Sequence, residues 1–260
     1  MATIIQMVAL TRLDCGIGSA AGMRAALAQA AHHCRHRRAF GARLVEQPLM
    51  RNVLADLALE SEASTALALR LARAFDGAGD EHEAHMRRLL TPIAKFWICK
   101  RGSHFAQEAM ECLGGNGYVE EGGEGVLARI YREMPLNSIW EGAGNIMALD
   151  LLRALRKGGT MADALQHELA PARGHPAFDR FVAALPARID EATAEADARR
   201  LAQDVALAVQ AALLRQHAPE PVFDAFCVSR LAGDWGHAFG TLPSRLDFDT
   251  LIRRAAPVPS

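Results

Sequence analysis

The sequence predicts an all-α protein: an antiparallel four-helix bundle followed by a helical carboxy-terminal extension. Alanine, leucine, arginine and glutamate are abundant among its 260 residues, and these residue types favour helix. Alternating runs of β-branched residues are nearly absent, and no Asn-Gly pair joins two such runs as a hairpin would. Apolar residues instead recur three and four positions apart, the spacing of one helical face. We therefore expect less than ~5% strand, against roughly 20–25% in an average protein.

Four long helices are expected in the first part of the chain, with short connections that imply antiparallel neighbours. Their predicted spans are Ile17–His36, Met50–Ala74, Glu83–Leu113 and Glu141–Lys157. Pro92 is expected to kink the third helix or to mark a later start for it. A short helix is expected near Val126–Tyr131, before the fourth.

Gly158 and Gly159 form the best internal boundary, since two adjacent glycines end a helix readily. We predict a bundle domain over residues 1–158 and a helical extension over residues 159–260, which is richer in Pro, His and Ala. The helices predicted in the extension are Ala162–His167, Pro176–Leu185, Ile189–His217, Val222–Leu231 and Phe248–Arg253.

Composition narrows the possible functions. Half of the residues are apolar, so the chain is expected to be globular. A net charge of −1 gives no electrostatic argument for binding nucleic acid or an anionic membrane. The five cysteines are scattered and form no C-x-x-C pair, as expected for reduced thiols in a cytoplasmic protein. No apolar run of the sequence reaches the ~18 residues that a membrane-spanning helix needs.

The first ten residues, Met1–Leu10, resemble the interior of a domain, because they are apolar and no helix-capping residue precedes them. Natural domain boundaries are usually more polar. We therefore expect further residues upstream, so that this chain would be a fragment, a truncated reading frame or half of a split protein.

The segment Tyr131–Met147 carries the strongest candidate for a catalytic residue. It places one carboxylate, Glu141, between the indole of Trp140 and the glycines Gly142 and Gly144. A carboxylate beside an indole loses hydration, and this setting suits a general base. The alternative is a carboxylate at the start of a helix, where the helix dipole favours negative charge.

The connection after the first helix has the residues of an anion-binding segment. It contains Arg37, then Phe40 and Gly41 after two intervening residues, and Gln47 further on. A guanidinium matches the charge and geometry of a pyrophosphate, and a glycine lets backbone approach a ligand closely. The alternative is a solvated basic end of a helix.

A glycine cluster, Gly114, Gly115 and Gly117, follows the third helix. It is not a dinucleotide-binding fingerprint, because no strand precedes it. On its own it is equally typical of an ordinary turn at the carboxy-terminal end of a helix.

These motifs, in this order, resemble the carboxy-terminal half of the acyl-CoA dehydrogenase flavoenzymes over Thr11–Lys157. The resemblance implies an acyl-CoA thioester as substrate and FAD as cofactor. It also implies that Glu141 is the base that removes the α-proton. Arg12 falls at the position where the family has an arginine that helps to hold the acyl-CoA.

The resemblance also assigns the FAD contacts. Arg37 is expected at the pyrophosphate, Phe40 near the adenine end, and Gln47 as a further contact. The glycine cluster is expected to reach the FAD of a neighbouring subunit, which implies a homo-oligomer, either a dimer or a tetramer. Asn145 replaces a family glutamine and is also expected to contact the cofactor.

Further details resemble the alkylation-response (AidB-type) branch of the family: NSIWEGAGNIM around Glu141, EQPLMR at Glu46–Arg51 and the helical extension. This branch implies FAD binding, weak dehydrogenase activity and double-stranded DNA binding by basic surface in the carboxy-terminal region. Arg153 would belong to that surface. The alternative is an ordinary exposed residue near a helix end, because the extension is net acidic.

A second function hypothesis is non-enzymatic. In it, the chain is a helical oligomerisation module that protects DNA and retains a flavin site. No metal site is expected in either case. His82 and His85 resemble a zinc motif, but no third ligand follows them at a useful spacing.

Overall fold

The computed structural model describes residues 2–77, 79–120, 126–156, 159–191, 195–235 and 237–256. Most of these described residues are α-helical, as predicted. The α-helices are α1 (Ala2–His36), α2 (Pro48–Asp76), α3 (Glu81–Glu111), α4 (Gly115–Tyr118), α5 (Val126–Asn137), α6 (Gly144–Leu155), α7 (Gly159–Leu169), α8 (Pro176–Ala183), α9 (Leu185–Glu191), α10 (Ala198–His217), α11 (Glu220–Phe226) and α12 (Phe248–Ala255). The described residues also form two short strands, β1 (Arg38–Ala39) and β2 (Ala42–Arg43), which pair antiparallel.

Helices α1, α2, α3 and α6 form the bundle. α1 packs along α2 and α3, and α3 packs in turn against α5 and α6. Gly144 at the start of α6 lies against Lys100 of α3. Asp150, further along α6, pairs with Arg88 near the start of α3 at 2.8 Å. These contacts show that α6 runs antiparallel to α3, and the predicted antiparallel four-helix bundle is confirmed.

The hydrophobic core continues from the bundle into the extension. One cluster of buried apolar side chains reaches from Leu13 on α1 to Ala255 on α12. α10 packs against α2, α3 and α6, while α12 packs against α2. Lys157 and Gly158, where the predicted domain boundary falls, lie outside the described residues, and α7 begins at Gly159. The boundary therefore stays a prediction.

α1 begins at Ala2, so the predicted start at Ile17 is wrong. The apolar residues before Ile17 carry no capping residue that would mark an earlier start, and glycine at positions 16, 18 and 22 has a low helix propensity. Tertiary packing outweighs that propensity. A Cβ on Gly22 would lie 2.2 Å from Cε of Met134 on α5, so the missing side chain leaves room for this methionine against α1.

α3 is continuous through Pro92, so the alternative of a later start is wrong. The helix begins instead on Asp80, whose side chain accepts a hydrogen bond from the backbone N–H of Glu83 at 3.1 Å. Leu89, Leu90 and Ile93 are fully buried around the proline. Their packing compensates for the hydrogen bond that proline cannot donate.

α6 begins at Gly144 and not at the predicted Glu141. Glu141 and Gly142 have φ angles of 58° and 107°, and a right-handed helix cannot include residues in that region. The short helix predicted near Val126–Tyr131 continues to Asn137.

The helix predicted over Ile189–His217 is wrong as a single element. In the described residues, α9 ends at Glu191, a 3-10 turn occupies Glu195–Asp197, and α10 begins at Ala198. The other helices predicted in the extension are confirmed with small shifts at their ends. The last turn after α11, Cys227–Leu231, is π-helical.

A group of four charged side chains, three of them buried, joins the extension to the bundle. Arg230 pairs with Asp56 and lies 3.1 Å from Glu60. Arg101 on α3 reaches the same Glu60 carboxylate at 3.1 Å. We call Asp56, Glu60, Arg101 and Arg230 the junction cluster. Two basic and two acidic groups balance its charge, as a buried ionic group requires.

None of the helices that the described residues form combines the length and apolar character needed to cross a membrane.

Candidate functional site

Residues 140–142, between α5 and α6, form a turn in which three successive carbonyl groups each accept a hydrogen bond from a basic side chain. The ammonium of Lys95 donates to the carbonyl oxygens of Trp140 at 2.7 Å and Gly142 at 2.9 Å. Nε of Arg12 donates to the carbonyl oxygen of Glu141 between them, at 3.0 Å. We call these three residues the Glu141 turn. Two helices thus hold the backbone of the candidate base.

The two basic side chains come from parallel helices, α1 for Arg12 and α3 for Lys95. Nη1 of Arg12 also pairs with the carboxylate of Asp150 on α6 at 3.1 Å. Arg88 holds the other oxygen of that carboxylate at 2.8 Å. Asp150 therefore orients Arg12 toward the Glu141 turn.

The backbone of the Glu141 turn lies in a conformation that L-residues rarely adopt. The φ of Glu141 is 58°, which is unfavourable for a residue with a Cβ. Gly142 has a φ of 107°, and a Cβ on it would lie 2.7 Å from Cε of Met147. The turn therefore needs glycine at position 142 and other contacts to stabilise the conformation of Glu141.

An open cavity of about 320 Å³ lies beside the Glu141 turn. Besides Trp140 and Glu141, its lining includes Thr11, Asp14, Cys15 and Gly18 of α1 and Glu133 and Asn137 of α5. The indole of Trp140 is 51% exposed. The sequence predicted that the indole removes water from the Glu141 carboxylate, but two further carboxylates, Asp14 and Glu133, also line the cavity.

One thiol lines the cavity and a second lies behind it, and neither is a nucleophile at neutral pH. Burial raises the pKa of Cys15, which lines the cavity. Burial also raises the pKa of Cys99 to about 11, although the hydroxyl of Ser19 lies 3.3 Å from its sulfur. Both thiols stay protonated near pH 7, and only a thiolate attacks readily. The carboxylate of Glu141 is thus the better candidate for proton transfer.

The predicted FAD contacts of the α1–α2 connection lie on a small hairpin at one end of the bundle. Phe40 and Gly41 form its two-residue turn, with φ angles of 51° and 86°. The Phe40 side chain is 98% exposed. Nε2 of Gln47 donates to the carbonyl oxygen of Ala39 at 3.2 Å and so supports the hairpin. The Arg37 side chain is exposed on the same segment.

The glycine cluster follows α3, and its members differ in their surroundings. Gly114 has a φ of 61°, and a Cβ on Gly114 or Gly115 would meet no atom within 4 Å. Both are exposed, and their backbone is open to a ligand. Gly117 is buried in α4, where a Cβ would lie 2.2 Å from the backbone oxygen of Met110. Close packing, and not ligand access, accounts for glycine at position 117.

The structure places the predicted FAD contacts of the α1–α2 connection and the glycine cluster together, away from Glu141. The α1–α2 connection and the glycine cluster lie at the same end of the bundle, because α1 and α3 run parallel and both end there. From Arg12 to His36, α1 rises about 36 Å at ~1.5 Å per residue. Within one chain, the predicted sites form two separate groups.

Two other predicted contact residues lie on α6. Asn145 is exposed, and its side-chain oxygen accepts a hydrogen bond from Arg199 of α10 at 2.9 Å. Arg153 is exposed on the same helix. His82, considered above for a zinc motif, lies 3.2 Å from the carboxylate of Glu168.

Sequence reasoning did not identify Lys95 as part of the site. A signal was present, because Pro92, Lys95, Cys99 and Gly102 follow one another at helical spacing. All four are buried, and a lysine among small and apolar residues on one face is unusual. The partner carbonyls, more than forty positions later in the chain, could not be read from this pattern.

Comparison with known families matches residues 1–156 to the family described as Acyl-CoA dehydrogenase, C-terminal domain. The putative acyl-CoA dehydrogenase AidB of Escherichia coli (strain K12) is 46% identical over 225 residues, which are 86% of this chain and 41% of that protein. Acyl-CoA dehydrogenase family member 11 of Caenorhabditis elegans is 32% identical over 157 residues, 59% of this chain and 25% of that protein. The chain spans less than half the length of these relatives.

Solved structures share the fold. The crystal structure of Caenorhabditis elegans ACDH-11 in complex with C11-CoA superimposes with a TM-score of 0.77 at 24% identity, over 88% of this chain and 44% of that chain. The Bd2924 apo-form superimposes with a TM-score of 0.74 at 28% identity, over 83% of this chain and 43% of that chain. Both matches extend past residue 156 and so include helices of the extension.

Proposed function

The chain belongs to the acyl-CoA dehydrogenase family, and on that premise we propose that it provides the base and part of the FAD site for α,β-dehydrogenation of an acyl-CoA thioester. The Glu141 turn carries this proposal. It presents one carboxylate beside an open cavity, on a backbone that Lys95 and Arg12 hold from two helices.

In the proposed reaction, the carboxylate of Glu141 removes the proton from the α-carbon of the thioester. A general base must reach that proton at hydrogen-bond distance. The cavity of about 320 Å³ gives a substrate access to this carboxylate. Because the turn fixes the backbone, the side chain needs to search few conformations, which favours proton transfer.

Arg12 remains a proposed contact for the acyl-CoA. Its Nε and Nη1 bind the Glu141 carbonyl and Asp150, but its Nη2 has no acceptor among the described residues. Arg12 does not itself line the cavity, so its role toward the acyl-CoA rests on this nitrogen and on its position in the family pattern. The complex of ACDH-11 with C11-CoA supports acyl-CoA as the ligand class.

The residues at the end of the bundle fit an FAD. The exposed guanidinium of Arg37 suits a pyrophosphate, the exposed ring of Phe40 suits an adenine face, and the backbone at Gly114 and Gly115 is open. When bound, FAD supplies the acceptor for the hydride from the β-carbon.

We further propose that these contacts serve the FAD of a neighbouring subunit in a homo-oligomer. The distance of about 36 Å along α1 supports this arrangement, since one chain presents Glu141 and the contacts at the end of the bundle as two separate groups. Asn145 lies on α6, beyond the Glu141 turn, and is proposed as a contact for the cofactor on that side.

The proposal is tested with Glu141→Gln. The amide is nearly isosteric but cannot accept the proton at useful rates, so loss of flavin absorbance on adding acyl-CoA should slow by about 10²–10⁴-fold. The assay uses the chain with added FAD, and also a chimera in which the chain replaces the matching region of the Escherichia coli relative. FAD binding should be unchanged.

Glu81→Gln is the matched control, because Glu81 is exposed at the far end of α3. It should bleach flavin at the wild-type rate. If Glu141→Gln also keeps the wild-type rate, Glu141 is a carboxylate of the turn without a catalytic role, and the dehydrogenase proposal fails.

The non-enzymatic alternative, a DNA-protecting oligomerisation module, has weaker support. Arg153 is exposed on α6, and it stays the proposed DNA contact of that alternative. Binding of duplex DNA that falls steeply with salt, and weakens with Arg153→Gln, would favour it.

A further inference from the structure

Lys95 is a buried cation whose hydrogen bonds go to backbone carbonyls. The residue is 1% exposed. Its hydrogen bonds go to the carbonyl oxygens of Trp140 and Gly142, and no carboxylate of the described residues forms an ion pair with it. Arg70 and Arg230, the other deeply buried basic side chains, each pair with two carboxylates.

Such a charge is costly for the folded state. Removing an ammonium from water is unfavourable, and two neutral carbonyls return only part of its hydration. Burial accordingly lowers the pKa of Lys95. An apolar side chain of similar length would fill the same space without this cost. Overall stability therefore does not account for a lysine here.

The geometry shows what the ammonium does instead. Its two acceptors lie on either side of Glu141 in the sequence, so Nζ ties the peptide group before Glu141 to the peptide group after Gly142. Rotating Glu141 to a negative φ would change the relative orientation of these peptide groups. At least one carbonyl would then turn away from Nζ. The two bonds thus stabilise the φ of 58°.

We propose that Lys95 is a positioning residue for Glu141, holding it in the left-handed conformation that directs its carboxylate to the cavity. The conformational role stands on the geometry alone. Its consequence for proton transfer rests on the proposed dehydrogenase function.

A thermal double-mutant cycle on the full chain tests the conformational role. Glycine is unstrained at a φ of 58°, so Glu141→Gly removes the strain that Lys95 imposes. Glycine also lowers stability through the unfolded state, but equally in both backgrounds. The change in Tm caused by Glu141→Gly should therefore be more positive in the wild type than in Lys95→Met, by about 2–4 °C.

Lys100→Met is the matched control, a lysine on the same helix whose ammonium lies near the ring of Phe96. In this background, Glu141→Gly should change Tm as it does in the wild type. Equal Tm changes in the wild type and Lys95→Met would overturn the proposal. If Lys95→Met does not fold, Lys95→Gln replaces it, since the glutamine nitrogen lies one bond nearer the backbone than Nζ and falls short of the two carbonyls.

The catalytic consequence is measured in the flavin assay described above. Lys95→Met should lower kcat by about 10²-fold, the cost of a misplacement near 1 Å, with KM for the acyl-CoA nearly unchanged. Lys100→Met should keep the wild-type kcat. A rise in KM with constant kcat would contradict the positioning role. If Glu141→Gln has no effect either, the dehydrogenase proposal fails, while the Tm cycle still decides the conformational role.

Discussion

Two buried basic side chains, Arg230 in the junction cluster and Lys95 below the Glu141 turn, have opposite surroundings. Arg230 faces the carboxylates of Asp56 and Glu60, so its charge is matched. Lys95 donates to two backbone carbonyls and forms no ion pair with a carboxylate of the described residues, although the charge of Glu141 acts on it from a greater distance. The matched cation joins two parts of the fold, whereas the unmatched one fixes a local conformation. A buried charge therefore stabilises the fold in the junction cluster and fixes the backbone conformation in the Glu141 turn.

The largest loss of stability is expected from Asp56→Ala. Asp56 accepts hydrogen bonds from Arg230, from Nε1 of Trp235 at 3.3 Å and from the backbone N–H of Gly240 at 3.0 Å. Its removal leaves buried donors without an acceptor and the cluster with excess positive charge. We expect the free energy of unfolding to fall by about 3–5 kcal/mol, measured by urea denaturation.

Asp163→Ala is the control for this variant, because Asp163 is exposed on α7. Its effect should stay within about 0.5 kcal/mol. A loss below about 1 kcal/mol for Asp56→Ala would show that the junction cluster contributes little to stability, and the contrast with Lys95 would disappear.

A smaller loss of stability is expected in the Glu141 turn, from Gly142→Ala. The φ of 107° is unfavourable for alanine, and its Cβ would lie 2.7 Å from the flexible end of Met147. We expect a cost of about 1–3 kcal/mol in urea denaturation, as for other strained backbone positions. Gly159→Ala, where a Cβ meets no atom within 4 Å, should cost nothing measurable. Equal changes in the free energy of unfolding for Gly142→Ala and Gly159→Ala would show that the backbone of the Glu141 turn does not require glycine at position 142.

The two regions also differ in how far the sequence predicted them. The long faces of α2 and α3 follow from apolar spacing, and their ends were predicted within two residues. The first half of α1 was missed, because Met1–Leu10 are apolar and no capping residue marks a helix start before them. The catalytic candidate Glu141 was identified from its neighbours Trp140 and Gly142 in the sequence.

What surrounds Glu141 could not be predicted. A helix was expected to start at this glutamate. No feature of the sequence predicts a positive φ for a residue other than glycine. The bonds from Lys95 and Arg12 join positions far apart in the chain, so they depend on how three helices pack. The junction cluster was missed for the same reason, since Asp56 and Arg230 lie in different parts of the sequence.

Acid should weaken the junction cluster. Burial raises the pKa of Glu60, but the charges of Arg101 and Arg230 outweigh burial and leave the pKa below its ordinary value. A carboxyl with a lowered pKa in the folded state stabilises the protein above its unfolded pKa. That contribution is lost as pH falls through the folded pKa.

The expected result is a free energy of unfolding that decreases below about pH 4.5, the ordinary pKa of a glutamate, in urea denaturation at several pH values. Glu60→Gln should be less stable at pH 6 and should depend less on pH in this range. Identical pH dependence in both proteins would show that Glu60 does not contribute to acid sensitivity.

The smallest effect is expected from a surface ion pair that also joins the extension to the bundle. Arg254 of α12 pairs with Glu62 of α2, and their side chains are 37% and 24% exposed. Water and salt screen such a pair, so Glu62→Ala should cost less than about 1 kcal/mol, and this cost should shrink in high salt. A salt-independent loss comparable to that of Asp56→Ala would show that contact with the extension, and not burial of matched charge, determines how strongly an ion pair stabilises this fold.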